Sequence, residues 1–345
     1  MNRLFSIAAA LLVIIMAVVA LSLRSYLFSP LAGLEKPMLY EISQGASLSG
    51  VAYDLEAQGV LTSPAIFVAW GRFTGQAAAL QTGEFELLPG SSPKEILDQF
   101  VNGRVKLYPF TILEGWTYRD LWSALAGKPF IANGFIDLSY TKQLELLSLD
   151  AGHPEGQFYP ETYLVPRGTT EVEILRQANA LMQAELADAW ESRDVGLPLK
   201  TPYELLTLAS IIERETALDS ERPQVAGVFI RRLNKNMRLQ TDPTVIYGLG
   251  EGYDGNITRK DLLTDTPYNT YTRGGLPPTP IGMPGRASLQ AAAHPAEGDT
   301  LYFVATGESD GSHVFSRTLE EHNAAVAAYI ARLRQLRKQA EEANK

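Results

Sequence analysis

The sequence contains no cysteine, which removes disulfides, thiolate nucleophiles and Cys-ligated zinc together. Histidine is scarce: His153, His294, His313 and His322 are the whole set, and none stand at the close helical spacing of a zinc pair. No metal site and no cofactor is therefore expected. No G-x-S-x-G, P-loop or G-x-G-x-x-G stands in the strand and helix context its chemistry needs, so serine hydrolase, NTPase and dinucleotide readings lack support. Basic charge is also short. Lys and Arg number 30 against 39 Asp and Glu, a formal net charge of -9. Binding phosphates requires Lys and Arg to displace counterions, so no nucleic-acid partner is expected.

What is present is an ordinary globular balance, 46% hydrophobic and 20% charged, over 345 residues, enough for two or three packed domains. The N-terminus departs from that balance. From Phe5 to Leu23 the run FSIAAALLVIIMAVVALSL has no charge over about 19 residues, close to the roughly 20 needed to cross a bilayer as a helix. A cleaved signal peptide is the rival reading, but its apolar core would be shorter, and Ala20-Leu21-Ser22 makes a poor small-x-small cleavage site. A membrane anchor is expected, with residues 1–4 in the cytoplasm and the body of the protein outside it. Charge alone orients the helix weakly, since Arg3 flanks one end and Arg24 and Lys36 the other.

After a linker over 24–37, one pattern occurs three times: a short apolar run, a turn with Gly, a capping residue and a helix. The first is Leu39 to Ile42, Gly45, then Leu48, Val51, Ala52 and Leu55, stopped by Gly59. The second is Phe85 to Leu88, Pro89-Gly90, and a capping box of Ser92 and Glu95 around Pro93, with Gly103 beyond the helix end. The third is Phe110 to Leu113, Gly115, and Thr117 with Asp120. Their unequal spacing excludes a solenoid. The segment Glu155 to Tyr163 is rich in aromatics and turn formers, as either a sugar-stacking wall or a buried aromatic corner would be.

Thr201-Pro202-Tyr203-Glu204 reads as a helix start with Thr as cap, Pro at the first helical position and Glu closing a capping box. Leu205, Leu208, Ala209, Ile212 and Thr216 then form one stripe, and the helix should end before Pro223. At about 100° per residue, Glu213 and Glu215 flank that stripe about 160° apart, so they cannot act as a facing pair. Arg214 points away from the stripe into solvent. A carboxylate at the border of an apolar face near a helix C-terminus suits a general acid, because desolvation and the helix dipole both disfavour the ionised form. Two ordinary surface glutamates would show the same periodicity.

Around this helix, LASIIERET, MRLQTDPTVIYG, YNTY, GLPPTPI, AAAHPA, LYFVATG and HVFSRTLEEHN resemble, in order, the YceG-like family, the MltG-type endolytic murein transglycosylases. The motifs cover Glu155 to about Tyr329. The sequence departs from the common pattern at Thr279 and Met283, which puts loop shape in doubt. The resemblance implies an α+β chain: an N-terminal transmembrane helix, a small LysM-like α+β module over 38–108, a larger α+β catalytic domain over 109–335 and a charged tail over 336–345. It implies cleavage of MurNAc-GlcNAc bonds within nascent peptidoglycan strands to leave 1,6-anhydroMurNAc ends, terminating elongation on the periplasmic side of the inner membrane. It places the catalytic role on Glu215, and substrate contacts on Glu213, Gln240, Thr241, Asp242, Tyr247, Asn269 and Tyr271. The implied partners are glycan strands, the membrane through the N-terminal helix, and peptidoglycan synthases. A non-catalytic murein-binding scaffold and a hydrolase using water remain open at this point.

Overall fold

The computed structural model describes residues 2–132, 134–135, 138–149 and 153–343. Met1 of the expected cytoplasmic tail, and Asn344 and Lys345 of the expected C-terminal tail, lie outside the described residues. Two compact units emerge, Met1–Pro109 with Leu164–Thr169, and Phe110–Tyr163 with Thr170–Lys345.

The first unit runs α1 (Asn2–Phe28), β1 (Met38–Ile42), α2 (Leu48–Ala57), α3 (Pro64–Phe73), β2 (Gly83–Leu87), α4 (Pro93–Val101) and into β3 (Leu107–Thr111). Strands β1 and β2 pair antiparallel from Met38↔Leu87 to Ile42↔Gly83. Alternate strand residues share a face, so Tyr40, Ile42, Phe85 and Leu87 all turn inward. Against them pack Val51, Ala52 and Leu55 of α2 and Ile96, Leu97 and Phe100 of α4. The Ser92–Glu95 capping box forms as expected and supplies acceptors to orphan N–H groups that open α4. Helix α3, which carries no strong periodic signal in sequence, adds Phe67 and Val68 to this core.

The second unit continues through α5 (Tyr118–Leu125), β4 (Ile131–Ala132), α6 (Tyr140–Leu147), β5 (Thr162–Pro166), β6 (Thr169–Thr170), α7 (Glu171–Ser192), α8 (Pro202–Glu215), α9 (Arg222–Asn234), α10 (Asp242–Leu249), α11 (Arg259–Leu263), α12 (Arg286–Ala293), β7 (Tyr302–Ala305), β8 (His313–Ser316) and α13 (Leu319–Ala343). Strands β3, β5 and β6 are each divided between the two units, since Met1–Pro109 and Leu164–Thr169 belong to the first. The core is helical. Every residue of α8 from Leu205 to Ile212 is buried, among α7, α9 and α12. Each large apolar side chain so buried contributes about 1.5–3 kcal/mol. A literal G-x-S-x-G at Gly307 to Gly311 is the connection of the β7–β8 hairpin, far from any strand-to-helix elbow.

Three local expectations are corrected. Helix α1 continues past Leu23 to Phe28, since Ser25-Tyr26-Leu27-Phe28 offers no break before Ser29-Pro30. Helix α13, by contrast, runs to Ala343 as the Ala-rich run from Ala324 leads one to expect, because QLRKQAEEA is built of strong helix formers. Helix α8 is buried all round and not along one stripe. Thr201 caps Glu204 N–H as expected, but the Glu204 carboxylate takes the Lys200 N–H at 2.6 Å, one residue before the position a capping box uses.

Candidate active site

Glu215 is the last residue of α8, where the aligned carbonyls present their negative end. Thr241, at the N-cap position of α10, donates its hydroxyl to Glu215 Oε1. Thr241 is itself fixed from the 268–271 segment: its N–H donates to Thr270 Oγ1 at 3.0 Å, and Gln240 N–H donates to Thr270 O at 3.2 Å. Helix α8 and two irregular segments thus converge on one carboxyl group. Gln240 holds φ at 51°, a left-handed conformation that costs a side-chain-bearing residue about 1–3 kcal/mol. That turn is what aims Thr241 back at Glu215.

Glu215 keeps a partial opening to solvent, yet protein surrounds its carboxyl closely enough that desolvation dominates and pushes its pKa up to about 7. The Thr241 hydrogen bond opposes the shift, neighbouring Asp242 adds to it, and the Arg232 guanidinium opposes it again. Asp242 accepts a 2.5 Å hydrogen bond from Tyr271 Oη at the exposed rim. Arg232 is buried and tied to Leu301 O at 2.6 Å and Leu239 O at 2.8 Å, so it is a fixed positive charge near the site. The arrangement is one carboxyl group able to hold or release a proton near neutrality, with an opening beside it.

A profile of the YceG-like family matches residues 40–328. The chain belongs to that family. It is 32% identical over 312 residues to an endolytic murein transglycosylase of Bacillus subtilis, covering 84% of each chain. It is 27% identical over 331 residues to the endolytic murein transglycosylase of Streptococcus pneumoniae D39, covering 87% of this chain and 59% of that one. The crystal structure of a YceG-like protein from Listeria monocytogenes superposes with a TM-score of 0.52 at 31% identity, covering 84% of this chain and 99% of that one.

Within this YceG-like chain the sequence-nominated residues divide. Gln240, Thr241, Asp242 and Tyr271 stand around Glu215 as described. Glu213 does not join them. Its side chain is 5% exposed; Oε1 meets Arg222 Nη2 at 3.1 Å and Oε2 accepts the Gly285 N–H at 2.9 Å. A Cβ at 285 would fall within 1.7 Å of Glu114 Oε1, so any side chain there requires the Glu114 carboxylate to swing aside. Asn269 is 1% exposed and spent on backbone: its amide donates to Asp261 O, Leu262 O and Thr264 O, and its Oδ1 accepts the Tyr271 N–H at 2.9 Å. Neither has a polar atom left for a ligand, and both hold the loops that carry the other residues. Arg214, expected in solvent, donates to Gly115 O at 2.7 Å.

Tyr247 leads to a residue that sequence reasoning missed. Its hydroxyl donates to Glu155 Oε2 at 2.9 Å, and the same carboxylate accepts the Tyr118 N–H at 3.0 Å. Burial pushes the Glu155 carboxyl up to about 7 against these two hydrogen bonds. Glu155, Tyr247, Arg214, Tyr118, Trp122 and Tyr268 line a cavity of about 760 Å³. Glu215 is not in its wall: it meets the N-terminal end of α10, whereas Tyr247 and the cavity lie toward the C-terminal end. In sequence, Glu155 is marked only as the first residue of the aromatic turn segment. That segment proves to be a buried corner, with Phe158, Tyr159 and Tyr163 all at 9% exposure or less.

Two carboxyl groups raised from 4.5 to about 7 fix the sign of a pH effect on stability. The folded state binds these protons more tightly than the unfolded state, so their stabilising contribution is full below about 4.5 and is lost as pH rises through about 7. Unfolding free energy is expected to fall by up to about 1.4 kcal/mol per pH unit per group over that interval. Calorimetric melting across the interval would show it, and Glu155→Gln should flatten the slope.

Proposed function

We propose that this chain is an endolytic peptidoglycan lytic transglycosylase with Glu215 as its single acid and base. The carrying observation is the desolvated carboxyl at the end of α8, raised to about 7 and bonded to Thr241, with Glu213 turned away into a structural ion pair. The curated relatives named above support the reaction class. In the first half of the reaction, protonated Glu215 gives its proton to the glycosidic oxygen as the bond from that oxygen to the MurNAc anomeric carbon breaks. In the second half, the resulting carboxylate takes the proton of the MurNAc 6-hydroxyl as that oxygen bonds to the same carbon. Atoms and charge balance without water, and the acid is regenerated. One carboxyl suffices because the nucleophile belongs to the sugar, unlike the paired carboxylates of most glycosidases. A pKa near ambient pH serves both halves.

Glu213 and Asn269 are assigned positioning roles, and Asp242, Tyr271 and Gln240 the rim that meets sugar. The apolar helix Phe5–Phe28 anchors the chain in the inner membrane, with the catalytic unit in the periplasm. There it meets nascent strands beside the synthases and ends their elongation. The likeness of the N-terminal module to LysM belongs to the same reading.

Mass spectrometry of the ends released from uncrosslinked glycan strands tests the reaction. Anhydro-muramyl ends are expected. Reducing ends would make the enzyme a hydrolase, and intact strands that stay bound would make it a scaffold. Thr241→Val removes the hydrogen bond that favours the Glu215 carboxylate. The falling alkaline limb of kcat/KM should therefore move to higher pH in that variant.

A further inference from the structure

The first unit carries an apolar groove of about 690 Å³ that the proposed chemistry does not use. Leu23, Leu27 and Phe28 of α1 form one wall, and Ile66, Trp70 and Phe73 of α3 the other. Helix α3, PAIFVAWGRF, has a single charged side chain, Arg72. Its Phe67 and Val68 turn into the core of the unit, while Ile66 and Phe73 lie on the other side and Trp70, half-buried between the two, packs on the core and lines the groove as well. A helix apolar on both faces requires cover on both. On the second face Phe73 is 85% exposed and Phe28 54% exposed.

The position of this face along α1 says what covers it. Tyr26 Oη donates to Ser63 O at 2.9 Å, beside the start of α3, and the Phe28 ring meets the Trp70 ring edge-on at 6.5 Å. Leu27 between them is buried. The last turn of α1 and α3 are therefore one body. Beyond the charge-free run ending at Leu23, the five residues from Arg24 to Phe28 rise about 7 Å. A bilayer's interfacial layer is about 5–7 Å deep on each side of its hydrocarbon core. The groove thus lies where acyl chains meet headgroups, the level at which tryptophan is favoured and arginine reaches phosphate.

We propose that α3 is an interfacial membrane helix: bilayer phospholipid covers its Ile66, Trp70 and Phe73 face and fills the groove, with Arg24 and Arg72 at the phosphate level. This rests on the reading of α1 as a membrane anchor. The N-terminal module is then clamped against the membrane surface, and its height above the bilayer is set by two contacts and not by a free tether.

The absence of cysteine makes the test direct. The full chain would be reconstituted in vesicles of phosphatidylethanolamine and phosphatidylglycerol with a nitroxide attached in three single variants, Phe73→Cys, Val13→Cys and Val195→Cys. Collision of each label with molecular oxygen, which concentrates in lipid, and with a water-soluble nickel chelate would then be read by electron paramagnetic resonance. All three sites are exposed, so labelling should leave the fold intact. Oxygen collisions are expected to dominate at 73 as at 13, with nickel dominating at 195. A label at 73 that behaves like the one at 195 overturns the proposal. The label at 13 then tells whether the anchor stands without the docked helix or falls with it.

Discussion

Glu215→Gln is expected to lower kcat/KM on uncrosslinked glycan strands by about 10²–10⁴-fold, the range a positioned general acid and base supplies. The amide preserves shape and can still accept the Thr241 hydroxyl, so thermal unfolding should move little or upward, since a desolvated ionisable group has been removed. In the wild type, the first step needs the protonated acid, so kcat/KM should fall as pH rises through about 7. That limb should be missing from whatever activity the variant retains. Release of anhydro ends, followed alongside circular-dichroism melting, separates lost chemistry from lost fold. Near-wild-type activity in this variant would transfer the proton chemistry to Asp242 or Glu155.

Two residues earlier in the same helix, the opposite outcome is expected. Glu213→Ala leaves Arg222, itself 6% exposed, with the exposed Asp219 carboxylate and the longer-range charge of Glu114, and strips the Gly285 N–H of its acceptor. Removing one member of a buried pair costs about 3–5 kcal/mol, because the surviving charge stays buried. The urea unfolding midpoint should drop accordingly. The double variant Glu213→Leu with Arg222→Leu should recover much of that loss, since apolar groups of similar volume replace the pair without an orphan charge. Activity of the folded fraction of Glu213→Ala should fall through displacement of the 285 loop, so it should be partly restored by Glu213→Gln, which keeps an acceptor for Gly285. A stability unchanged from wild type would return Glu213 to the substrate cleft.

The sequence is most legible where local chemistry decides the outcome. Capping residues open α4 and α5 at Ser92 and Thr117, and Thr201 with Pro202 opens α8, because each satisfies backbone donors within its own turn. Strands β1 and β2 show their inward face in the alternation around Tyr40 and Phe85. Helix α3 is illegible for the converse reason. A helix apolar on nearly every side has no period to detect.

At the site, the residue types and their order pointed to the E-x-E segment and the Thr241 and Tyr271 loops, but the wheel could place Glu213 and Glu215 only on opposite flanks. What separates them lies between 9 and 72 residues further along the chain. Gly285 and Arg222 claim Glu213, whereas Thr241, brought in by a left-handed Gln240 and the Thr270 hydroxyl, meets Glu215. Glu155 was legible only as a turn residue, since its burial depends on Tyr247 and Tyr118 arriving from two other helices. By itself, then, the sequence determined the apolar N-terminal helix, the capped elements, the lack of metal-ligand spacing and the membership in a family, all consequences of neighbouring residues or of ordered motifs. Only the tertiary structure decided which glutamate is free, which is a strut and which carboxyls lose their water, because desolvation and hydrogen-bond partners are set by segments that meet only when the chain has folded.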